Sequence, residues 1–150
     1  MADEALQAAI AHHRAGRLGE AEAVYRAALG RNANDPRLLH LLGTLLLQRR
    51  QFAEAVGVLQ QAAARAPNSP EIQFALGDAL RLSGKAVEAE AAYRKSISIR
   101  ALFPPAHNGL GLALVAQHKF ESAAQAWQRA IQLRADYAEA HANLGAALAQ

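Results

Sequence analysis

Leu42-Gly43, Leu76-Gly77, Leu110-Gly111 and Leu144-Gly145 stand 34 residues apart along a chain of 150 residues. A strict period of this length marks a tandem helical array, because one such unit cannot bury its apolar face alone and must stack on its neighbours. Arrays of this kind hold other molecules more often than they transform them. Aligned on these pairs, the repeats cover 2–35, 36–69, 70–103 and 104–137, with a half repeat at 138–150. The first carries Ala8-Ala9 where the others carry Leu-Gly, a degenerate member of the set. No composition shift divides the chain, which reads as a single array over 2–150.

Alanine supplies about a quarter of the residues, well above ordinary usage. It is the best helix former, and its small side chain lets helices approach closely. Each repeat therefore reads as two helices. The first helices are expected near 3–15, 36–48, 70–82, 104–116 and 138–149, and the second near 18–30, 52–65, 86–99 and 120–133. Asp35-Pro36 and Ser69-Pro70 pair a capping side chain with proline at the first helical position, where its missing N–H costs nothing. Gly16 and Gly84 fall in turns that suit a left-handed residue, and Arg50 and His118 take that place elsewhere with some strain expected. In the second helices Ala21, Ala55, Ala89 and Ala123 are followed four residues on by Tyr25, Leu59, Tyr93 and Trp127. Small then large on one helical face gives a wedge beside a close helix contact, so Trp127 is expected in the core.

These residues resemble the tetratricopeptide repeat. Leu39, Leu42, Gly43, Leu46, Phe52, Ala55, Leu59, Ala62 and Pro67 follow the family pattern in order, and Phe74, Leu76, Gly77, Leu80, Gly84, Ala89 and Tyr93 continue it. The resemblance covers 2–150 and implies an all-α fold, a right-handed α-solenoid of antiparallel helix pairs. It also implies a protein-interaction scaffold whose concave groove receives a peptide or a partner segment.

The groove can be placed by helix geometry. Positions 3, 7, 10 and 11 of each repeat form the core stripe of the first helix, and positions 2, 5, 9 and 12 form a second stripe. Its candidate binding residues are Arg37, His40, Thr44, Leu47, Phe74, Asp78, Arg81, Asn108, Leu112 and Val115. This mixture suits a segment with one or two apolar anchors and a few polar contacts; the competing view is that the apolar members merely pad neighbouring helices. Two sub-modes of the family are disfavoured. The clamp for acidic chaperone tails needs Lys and Asn at positions 5 and 9, where this chain has Leu6/Ile10 and His40/Thr44. A ladder of Asn before Leu-Gly, as in glycosyltransferase-linked arrays, is matched only by Asn143.

The junction Ala101-Leu102-Phe103-Pro104-Pro105 breaks the pattern. Phe103 either tucks between repeats or joins Leu102 in an exposed apolar rim. The closing helix carries Ala142, Leu144, Ala146 and Leu148 and reads like an internal helix awaiting a partner. The expectation is a piece of a longer protein or self-association through helix 138–149.

Composition excludes several other classes. No cysteine is present, so no disulfide, thiolate zinc site or cysteine nucleophile exists. His107 and His141 recur at one repeat position without a further ligand nearby in sequence, and no catalytic constellation or phosphate loop stands out. Neither an enzyme, a cofactor nor a metal is expected. A net charge of +3 without a basic cluster beyond Arg49-Arg50 argues against nucleic acid. Acidic residues near the start and the lack of a long apolar run point to no signal peptide, no membrane span and a cytoplasmic protein; a bacterial source is expected only by analogy with bacterial enzymes that carry such arrays. The rival readings are a substrate-recruiting domain of a larger bacterial transferase and a helical-repeat RNA binder.

Overall fold

Helical propensity and periodic proline together set the elements in the computed structural model, which describes residues 2–150. Nine α-helices occur among them: α1 Ala2–Arg14, α2 Leu18–Arg31, α3 Pro36–Gln48, α4 Phe52–Arg65, α5 Pro70–Leu82, α6 Ala86–Ile99, α7 Pro104–Val115, α8 Phe120–Leu133 and α9 Ala138–Leu148. The described residues contain no strand. The fold is all-α, built of antiparallel helix pairs of the α-solenoid type, and each helix lies within about a residue of the span expected from the periodicity.

The chain divides into two compact units, one ending at Pro67 and one beginning at Asn68. In the first, α1 packs on α2, α2 on α3 and α3 on α4. In the second, consecutive helices from α5 to α9 pack on one another, and α7 also meets α5 and α9.

In three helix pairs, α3 with α4, α5 with α6 and α7 with α8, the close approach follows from a glycine facing a large side chain. A methyl group added at Gly43 would lie 2.5 Å from Leu59, at Gly77 2.7 Å from Tyr93, and at Gly111 2.5 Å from Trp127. Leu59, Tyr25 and Tyr93 are fully buried and Trp127 nearly so, the wedges that the small–large spacing predicts. Gly145 is different, because a methyl group there would meet nothing within 4 Å.

The helix ends also follow the sequence. The Asp35 carboxylate accepts from the Arg37 N–H at 2.9 Å, and the Ser69 hydroxyl accepts from the Ile72 N–H at 3.3 Å. Gly16 and Gly84 adopt φ of 82° and 81°, while Arg50 and His118 hold 60° without the freedom of glycine. Both strained residues stack on an aromatic ring two positions on. The Arg50 guanidinium lies 5.6 Å from the Phe52 ring centre, and the His118 and Phe120 rings sit edge to face at 5.9 Å. The turns with glycine carry Leu18 and Ala86 at that place. Repeats with a strained turn thus also carry an aromatic ring beside it.

Candidate functional site

The second stripe of the first helices lies on α3 in the first unit and on α5 and α7 in the second. On α3, Arg37 is exposed, and His40, Thr44 and Leu47 are half-buried. Arg37 leans on its own cap, 3.8 Å from Asp35, and the Thr44 hydroxyl donates to the Leu41 carbonyl at 3.0 Å.

The second unit concentrates polar chemistry on this stripe. Tyr93 reaches from α6 toward α5, and its hydroxyl donates to the Asp78 carboxylate. The Arg81 Nε donates to the same hydroxyl at 3.1 Å, and the Arg81 guanidinium lies 3.7 Å from Asp78. Burial dominates the Asp78 carboxyl and raises its pKa, outweighing the Tyr93 and Arg81 contacts that favour ionisation. Burial works against the Arg81 cation, but Tyr93 and Asp78 more than offset it, so Arg81 holds its proton more tightly than usual. The Tyr93 hydroxyl is pushed far up by burial and by the neighbouring Asp78 charge. A half-buried carboxylate held against its solvation preference, beside a fixed cation, is the kind of group that recognition sites carry.

Phe74 flanks this cluster. Its ring centre lies 6.0 Å from Tyr93 and 5.3 Å from Phe103. Phe103 is therefore tucked against α5, with the Arg100 guanidinium 5.4 Å from its ring centre. Leu102 goes the other way and is 69% exposed, so the two readings of this junction divide between its two apolar residues.

Asn108 is buried. Its Oδ1 accepts from Trp127 Nε1 at 2.8 Å and from Asn143 Nδ2 at 3.1 Å. Its side chain orders the stripe from beneath. Leu112 and Val115 are half-buried and line a small, mostly apolar pocket of about 140 Å³, together with Phe120, Trp127 and Asn143.

The small–large spacing places Tyr93 as a core wedge but does not reveal its hydroxyl, which is the hub of the cluster. A signal was available. Position 12 supplies His13 opposite Tyr25 and Arg81 opposite Tyr93, and the His13 Nδ1 lies 3.0 Å from the Tyr25 hydroxyl. Where position 12 is Leu47, the wedge is the apolar Leu59. His107 and His141 each spend Nε2 on a backbone carbonyl, of Ala101 at 2.9 Å and of Ala135 at 2.8 Å. They latch the turn before their own helix. No group of three or more potential metal-binding side chains occurs among the described residues. No helix among them is long and apolar enough to cross a membrane.

Models of the tetratricopeptide repeat match residues 2–45, 40–106 and 111–150. No curated protein matches the chain in sequence. Among solved structures, MamA from Desulfovibrio magneticus RS-1 superposes with a TM-score of 0.89 at 22% identity, covering 99% of this chain and 84% of that one. YrrB, a repeat protein with an unusual peptide-binding site, gives 0.82 at 24% identity, covering 90% and 70%. The first repeat domain of human RPAP3 gives 0.72 at 21% identity, covering 76% and 92%. These likenesses show the fold.

Proposed function

The chain belongs to the tetratricopeptide repeat family, and from that premise we propose that it is a non-catalytic interaction scaffold whose repeats run over 2–150 as one tandem array. Its ligand is a peptide or partner segment that meets the stripe residues of each unit, Arg37, His40, Thr44 and Leu47 in the first and Phe74, Asp78, Arg81, Leu112 and Val115 in the second, where the buried Asn108 supports the stripe from beneath. The observation that carries this reading is the Asp78–Arg81–Tyr93 cluster beside Phe74. Tyr93 fixes both charged groups in place before any ligand arrives, so little side-chain entropy remains to be lost on binding. Phe74, Leu112 and Val115 offer apolar contact, and the charged pair selects polar groups between the anchors. That YrrB carries a peptide-binding site on a similar fold supports the reading.

The test is capture of partners by the purified chain, compared with a Phe74→Ala/Arg81→Ala variant. Loss of the captured partners, with circular dichroism unchanged, is expected. Equal capture by a folded variant would overturn the assignment.

Self-association through α9 is a second reading. It is favoured by Leu148, 69% exposed, and by the open face at Gly145, a position that a large side chain covers at Gly43, Gly77 and Gly111. A monomer in sedimentation at high concentration would remove it. In a larger enzyme the same stripe would serve to recruit a substrate.

A further inference from the structure

The second helices carry a repeated charge cluster that is complete in one unit and short of one carboxylate in the other. In the first unit, Glu22 accepts from Arg26 at 2.9 Å and from Arg49, and Arg26 reaches across to the Glu54 carboxylate of α4 at 2.8 Å. Two carboxylates there meet two cations. In the second unit the register places Glu90, Arg94 and Ser122 where Glu22, Arg26 and Glu54 stand. Glu90 accepts from Arg94 at 2.9 Å and from Lys119 at 3.1 Å. One carboxylate meets two cations, and α8 offers Ser122 where α4 offers Glu54.

Beneath this gap lies a pocket of about 430 Å³ between α6, α7 and α8. Leu110, Leu114, Ile97 and Ala126 give it an apolar floor, and Arg94 and Ser122 stand on its rim. The pocket is formed by the second helices and the inward-facing side of α7, so it is distinct from the stripe of Phe74, Asp78 and Arg81.

We propose that this pocket is a second docking site, and that its occupant is a partner segment presenting a carboxylate side chain next to an aliphatic one. The partner's carboxylate takes the place beside Arg94 that Glu54 fills beside Arg26, restoring the balance of charges. The aliphatic group covers Leu110 and Leu114. Arg94 is exposed, and a charge-assisted bond that a docked segment shields from water, set beside apolar burial, gives both affinity and orientation.

The test uses the whole chain, isotopically labelled, titrated to millimolar concentration with a capped peptide carrying one Leu and one Glu four residues apart. A twin peptide with Gln for Glu is the control. Saturating amide shifts are expected at Ile97, Ser98, Ser122 and Gln125, with binding of the twin at least tenfold weaker. Ser122→Glu supplies the missing carboxylate from within and is expected to abolish binding while raising thermal stability; Arg94→Ala is expected to abolish binding as well. Absence of shifts at these amides, equal binding of the twin, or undiminished binding to Ser122→Glu would each overturn the proposal.

Discussion

At the scale of single residues, the helix pairs are set by glycines that leave room for one large neighbour. At Gly111 the indole edge of Trp127 lies where a β-carbon would go, and a rigid, buried ring held by Asn108 cannot swing aside. Gly111→Ala is therefore expected to cost about 1–3 kcal/mol through overpacking. Gly145→Ala meets open space and is expected to gain a few tenths to about 1 kcal/mol from helix propensity alone. Urea denaturation of the two variants checks this, and equal effects would contradict the account. The Leu-Gly period made these positions legible, because glycine in mid-helix is costly unless a packing partner requires it. Gly109 was not legible in this way. A methyl group there would come within 2.4 Å of Tyr93, which serves two helices at once, and no repeat rule marks it. The bond from Trp127 to Asn108 was hidden for a related reason: periodicity places a side chain on a face but does not aim its polar atoms.

At the scale of elements, helix spans and capped starts were readable from proline, glycine and alanine spacing. The electrostatic clasps were not, since charges on a solvated helix face look alike until their partners from the next repeat are known. Glu90 holds α6 to the turn before α8 through Gln117 at 2.8 Å and Lys119 at 3.1 Å. Burial works against the ionised Glu90, but Gln117, Arg94 and Lys119 outweigh it and hold its carboxyl below the ordinary value of 4.5. Stability from a lowered carboxyl pKa is fully present above that value and is lost as pH falls through the folded one. Glu90→Gln is thus expected to cost about 1 kcal/mol at neutral pH, as a partly screened charged network does. The difference from the parent chain should shrink as pH drops below 4.5. Melting curves across that range provide the measurement, and a pH-independent deficit would show that the clasp acts by shape alone.

At the scale of the molecule, repetition builds the scaffold and departures from it carry the recognition chemistry. Positions 10 and 11 of the first helices stay small or aliphatic in every full repeat except at His12, whereas the stripe at positions 2, 5, 9 and 12 changes residue by residue. A stripe kept only for packing would not need Asp78 and Arg81 tied to one buried tyrosine. The central claim is that this stripe is where a partner lies. It is tested most directly by placing a photoreactive amino acid at Leu112 or Leu47 and, as a control, at the exposed Gln61 of α4. Illumination with the captured partner present should give crosslinks from Leu112 and Leu47 and none from Gln61. Crosslinks from Gln61 with none from either stripe position would contradict the account.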